Sequence, residues 1–87
     1  MRYTVLLIRA EEGGYVVRVP ALPGCVTEGD DLPQAVENAR EAILAYTESL
    51  AADGLPLPED KPVIELYDDE EEAWAVRVTI RKEAAVA

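Results

Sequence analysis

Asp31-Leu32-Pro33-Gln34-Ala35-Val36-Glu37-Asn38-Ala39-Arg40-Glu41-Ala42-Ile43 reads as the opening of a long amphipathic helix. Asp31 is placed to cap the first free amides, and Gln34 completes a capping-box-like arrangement. Pro33 falls in the first turn, where few amide donors are needed. Leu32, Ala35, Val36, Ala39, Ile43, Tyr46 and Leu50 recur every three or four residues and make one apolar stripe. Glu37, Asn38, Arg40, Glu41 and Glu48 lie opposite, facing solvent or a partner, and Gly54 after Asp53 marks the stop. Such a stripe needs a second layer to cover, and the flanking sequence supplies strands.

Upstream, Met1 to Ala10 reads as a strand with Tyr3, Val5 and Leu7 on one parity and Leu6 and Ile8 on the other. Glu11-Glu12-Gly13-Gly14 suits a hairpin turn, because its glycines can supply positive φ. The return strand, Tyr15 to Val19, places Tyr15, Val17 and Val19 on one face and Val16 and Arg18 on the other. Pro20-Ala21-Leu22-Pro23-Gly24 breaks it into a rigid loop, and Cys25 to Glu28 forms a short third strand ending at Gly29-Asp30.

Downstream, the prolines of Leu55 to Pro62 favour a stiff extended crossing back to the sheet. Val63 to Tyr67 is a short candidate strand, and Trp74 to Ile80 alternates as a strand should. Between them Asp68-Asp69-Glu70-Glu71-Glu72 belongs on an exposed loop, because adjacent like charges repel in a packed strand. The expected fold is α+β, an antiparallel sheet of four or five strands in the order β-β-β-α-β-β with the helix on one face. Residues 1–81 form the single domain, and 82–87 are expected to be a disordered tail. With the second sheet face open, Leu6, Ile8 and Val16 would meet water, so a homo-oligomer, dimer or tetramer, is the expected remedy.

The 87 residues hold 18 Asp and Glu against 8 Lys and Arg and no His, for a formal net charge of -10. That balance argues against direct DNA or RNA binding, which runs mainly through Lys and Arg, and suits a basic partner. Arg2, Arg9, Arg18, Arg77 and Arg81 are spread over strands, so an RNA-binding reading requires them to align on one sheet face. A lone cysteine, Cys25, fits a reducing cytoplasm, and no membrane span or secretion signal is legible.

No catalytic centre is legible either. Without His the Ser-His and Cys-His pairs are missing, and no Lys or Arg stands beside Cys25 to favour its thiolate. The carboxylates around Glu28, Asp30 and Asp31 and in the 68–72 run lack metal-ligand spacing, and neither a GxGxxG nor a GKS/T phosphate motif is present. The expectation is a non-enzymatic binding protein with no cofactor and no metal. Trp74 is a core or edge aromatic, or an interface anchor if exposed.

The run Gly14-Tyr15-Val16-Val17-Arg18-Val19-Pro20-Ala21-Leu22-Pro23-Gly24-Cys25, with Gly29-Asp30, Leu32, Ala35, Asn38-Ala39-Arg40-Glu41-Ala42 and the stretch Asp53 to Pro58, resembles the HicB-like antitoxin family. The resemblance runs over residues 3–58. It implies an antitoxin of a type II toxin-antitoxin pair that binds and neutralises a small basic HicA-like, mRNA-cleaving toxin by protein-protein contact. It also implies structural roles for Gly14, Tyr15, Pro20, Leu22, Pro23, Gly24, Cys25, Gly29, Asp30, Asn38 and Ala39. Members often add a C-terminal DNA-binding domain. This chain is expected to be a stand-alone N-terminal-type domain without one. The candidate partner contacts are Asp68, Asp69, Glu70, Glu71, Glu72, Trp74, Glu37 and Glu41. The alternative is an orphan self-associating domain with a small-ligand or enzymatic role, using a cleft near Pro20 to Asp31.

Overall fold

The computed structural model describes residues 1–62 and 72–80. Its elements run β1 (Arg2–Arg9), β2 (Tyr15–Arg18), β3 (Val26–Gly29), α1 (Leu32–Ala52) and β4 (Ala73–Thr79). They make an α+β fold whose antiparallel sheet has the order β3-β2-β1-β4. The candidate strand at 63–67, the carboxylates at 68–71 and the tail at 82–87 lie outside the described residues.

The pairing register assigns each side chain to a face. Leu7 stands between Val17 and Trp74, and Val5 stands opposite Val76. Tyr3, Val5, Leu7, Val17, Val19, Val78 and Ile80 form one core with Ala35, Ala39 and Ile43 of α1. Small residues at 35 and 39 let the helix lie close to the sheet. Gly29 completes the fit, because a Cβ there would stand 2.4 Å from the Ala35 nitrogen.

The helix starts where the residues say it should. Asp31 is extended (φ -141°) and its carboxylate accepts the Gln34 amide at 2.8 Å. Gln34 Oε1 accepts the Asp30 amide at 2.6 Å, one residue ahead of the usual reciprocal partner. At the other end Gly54 (φ +70°) turns the chain out of the helix, with its own amide on the Ala51 carbonyl and the Leu55 amide on that of Leu50. The stripe differs from expectation at two positions. Leu32, in the first turn, is 38% exposed, whereas Thr47 is buried and satisfies its hydroxyl on the Ile43 and Leu44 carbonyls.

The face away from the helix is not the open surface that alternation implied. Leu6 and Ile8 are 1% and 5% exposed, and only Val16, at 39%, meets water as expected. The proline-rich crossing passes from one face of β1 to the other. The Tyr3 hydroxyl, on the helix side, donates to the Pro58 carbonyl at 2.6 Å. Two residues later Asp60 binds Thr4, whose side chain belongs to the opposite face. The burial of Leu6 and Ile8 within one chain removes most of the apolar surface that had motivated self-association.

Candidate functional site

The hairpin tip, the end of β3 and the start of α1 meet at one end of the molecule. Tyr15 pairs with Gly29, and Gly14 adopts φ +75° with its Cα so close to Gly29 that a Cβ would stand 2.8 Å from the Gly29 carbonyl oxygen. Neither glycine has room for a side chain. Asn38, from the second turn of α1, donates to the Glu28 carbonyl at 2.7 Å and so caps an outward group of the edge strand. The motif residues Pro20 to Cys25 close a tight loop. Leu22 and Cys25 are buried, the Leu22 amide reaches the Val19 carbonyl, the Cys25 amide reaches that of Leu22, and the Pro23 carbonyl accepts the Tyr46 hydroxyl. Ala39 is buried on the face of α1 that meets the sheet. Burial pushes the Cys25 thiol up, which keeps it protonated near neutral pH.

Of the expected contact residues, Glu72 immediately precedes β4 and Trp74 is its second residue. The Glu72 carboxylate lies 3.7 Å from the Arg9 guanidinium, and the Arg9 amide binds the Glu72 carbonyl. Trp74 is 41% exposed and meets Tyr15 edge-on, with ring centroids 5.8 Å apart at 71°. Glu37 and Glu41 are exposed one turn apart on α1, and Glu37 pairs with Arg40, whose guanidinium also donates to the Thr79 carbonyl. The helix carboxylates and the Glu72–Trp74 pair therefore belong to two separate stretches of surface.

Arg2, Arg18 and Arg77 do share the face opposite the helix, since they stand in register with Thr79, Leu6 and Thr4. Asp60 breaks up this basic row. Its carboxyl is drawn upward by partial desolvation, but hydrogen bonds from the Thr4 amide and hydroxyl and the Lys61 amide, with the Arg77 charge, outweigh that and hold it below the usual carboxylate range. Among the described residues no three Cys, Asp or Glu side chains are grouped to hold a metal, and no helix is long and apolar enough to cross a membrane.

Two features escaped the sequence reading. A groove of about 400 Å³ runs between the hairpin tip and the helix start, with Arg9, Tyr15, Asp31 and Leu32 in its walls. Its one sequence signal is Leu32, an apolar residue in a helix's first turn, next to Pro33. The Thr4–Asp60 clasp had no signal, because nothing in the local pattern links residues so far apart.

These observations define a class: an α+β domain with one helix on an antiparallel sheet, acidic overall, with exposed aromatic and carboxylate groups at one end. A family profile described as the HicB_like antitoxin of bacterial toxin-antitoxin system matches residues 3–85, and the chain belongs to that family. A UPF0150 protein of Thermoplasma acidophilum is 50% identical over 60 residues, covering 69% of this chain and 87% of that one. The N-terminal domain of the Burkholderia pseudomallei antitoxin HicB has a similar crystal structure, with a TM-score of 0.74, 26% identity and coverage of 93% and 99%. A chain of the HicA3 and HicB3 toxin-antitoxin complex is similar at a TM-score of 0.70 and 29% identity, again covering 93% and 99%.

Proposed function

We propose that this chain is an antitoxin that binds a small basic HicA-like, mRNA-cleaving toxin in the cytoplasm and neutralises it by protein-protein contact, without catalysis of its own. The observation that carries the reading is membership of the HicB-like family together with likeness to a chain solved as part of a HicA3–HicB3 complex. Charge supports it independently. A chain of net charge -10 attracts a basic partner and repels the RNA that such a partner would cut. Glu72 and Trp74, with the carboxylates at 68–71 and Glu37 and Glu41 on α1, are the contacts assigned to this interaction.

The test is co-expression with a HicA-like toxin, followed by binding of the purified pair at two salt concentrations. Restored growth and an affinity that falls with salt are expected. Continued toxicity with no complex at low salt would refute the reading. The cleft expected near Pro20 to Asp31 for a small ligand is closed from Pro20 to Cys25 on the buried side chains of Leu22 and Cys25, and only its far end, at Asp30 and Asp31, opens into the groove beside the hairpin tip.

A further inference from the structure

The groove between the hairpin tip and the helix start has a chemistry more specific than acidity. The Tyr15 ring and the Leu32 side chain, 38% exposed, give it apolar walls, and Trp74, set edge-on against Tyr15, extends the aromatic surface beyond it. Asp30 and Asp31 also line it, and the exposed Glu11 and Glu12 precede its two glycines in the hairpin turn. Asp31 spends one carboxylate oxygen on the Gln34 amide. Arg9, the cation in the lining, is already engaged with Glu72.

An aromatic and aliphatic wall beside unneutralised carboxylates is the setting in which a guanidinium binds best. Its plane stacks on a ring, its methylene stem covers the aliphatic side chain, and its fork reaches the acids. The geometry points to this groove as the receptor for an arginine presented by a basic partner protein, with Tyr15 and Leu32 as its walls, Trp74 as the aromatic surface beside it and Asp30 and Asp31 as its acid rim. The inference rests on the reading of the chain as a binder of a basic protein, and moves the anchor of that contact from the helix carboxylates to the hairpin tip. A second copy is a poor occupant, because each brings a net charge of -10 to the same place. Nucleic acid is poorer still, since its phosphates would face the same carboxylates.

Leu32→Ser and Trp74→Ala change exposed side chains, and Val26→Ser, at a position 59% exposed on the edge strand β3, serves as the comparison. Anisotropy of a labelled hexa-arginine peptide, with hexa-lysine as reference, reads the groove alone, and titration with a HicA-like toxin reads the interface. Hexa-arginine should bind more tightly than hexa-lysine, and both groove variants should weaken the arginine peptide and the toxin by about tenfold, the size typical of an interface anchor. Val26→Ser should bind like the parent. Toxin held equally by all four proteins would place the interface elsewhere and overturn the groove while leaving the antitoxin reading intact. Failure of the parent to bind toxin, with the peptide still weakened by the two groove variants, would sink the antitoxin reading and leave the groove standing. Equal peptide affinity in parent and variants would remove the groove itself.

Discussion

Asp60 holds Thr4 with both carboxylate oxygens, one on the amide at 2.7 Å and the other on the hydroxyl at 2.8 Å, across 56 residues of sequence. The ladder from β2 reaches β1 only as far as Leu6, so the Thr4 amide has no strand partner on that side and a side chain takes its place. Together with the Tyr3 to Pro58 hydrogen bond, this clasp fastens the proline-rich crossing to both faces of β1.

The clasp makes a pH prediction. Because the folded Asp60 carboxyl is held below its ordinary value, it contributes stability that is fully present above the unfolded pKa, about 3.9, and is lost as pH falls through the lower folded value. Urea midpoints measured from pH 7 down to pH 2 should therefore fall in the acid range, and Asp60→Asn should flatten part of that fall. Asp60→Ala leaves Thr4 without acceptors and should cost about 1 to 3 kcal/mol at neutral pH. An Asp60→Ala protein as stable as the parent would show the clasp to be incidental.

Gly29→Ala tests the helix seat. The added methyl would stand 2.4 Å from the Ala35 nitrogen and 2.5 Å from its Cα, both backbone atoms that can move only if the helix does. A loss of about 2 kcal/mol or more is expected in thermal or urea unfolding, at the upper end of ordinary overpacking. Gly13→Ala has nothing within 4 Å and only the φ of +98° to resist it, so it should cost less, about 1 kcal/mol. Reversal of that order would mean the helix can shift away from β3 at little cost.

How far the residues announced this arrangement differs by element. The helix was legible because its cap, its stripe and its stop agree, and the hairpin because two glycines stand between alternating runs. Strand ends moved by a residue: β3 begins at Val26 and β4 at Ala73, because pairing with β2 and β1 sets the ends and local pattern does not. Leu6 and Ile8 were misjudged for a related reason. Alternation places a side chain on a face, but whether that face is covered depends on chain distant in sequence, which no local pattern encodes. In the candidate site Glu72 could be singled out by its place in an acidic run and Trp74 only as an aromatic that anchors an interface if exposed, whereas the approach of Tyr15 and Leu32 depends on the packing of Gly14 against Gly29.

Cys25 gives a probe of the motif loop. It is the protein's one cysteine, 6% exposed, and burial raises its thiol pKa. Reaction with a thiol-specific disulfide reagent at pH 7.5 should be slow in the native protein and rise to the rate of a free thiol in urea, since the thiolate is the reacting form. Rapid native labelling would show that the loop from Pro20 to Gly24 opens readily.

Ile43 and Leu32 are both apolar positions of the helix stripe, yet they should answer truncation very differently. Ile43 is fully buried among the core residues of the sheet, so Ile43→Ala removes packed atoms and leaves a cavity, with an expected cost of about 2 to 5 kcal/mol. Leu32, 38% exposed in the first turn, should lose no more than about 0.5 kcal/mol on change to Ser. Urea unfolding of the two variants decides the point. A Leu32→Ser protein of near-parental stability that fails to hold an arginine peptide would locate its role at the surface, whereas one as damaged as Ile43→Ala would return Leu32 to the core.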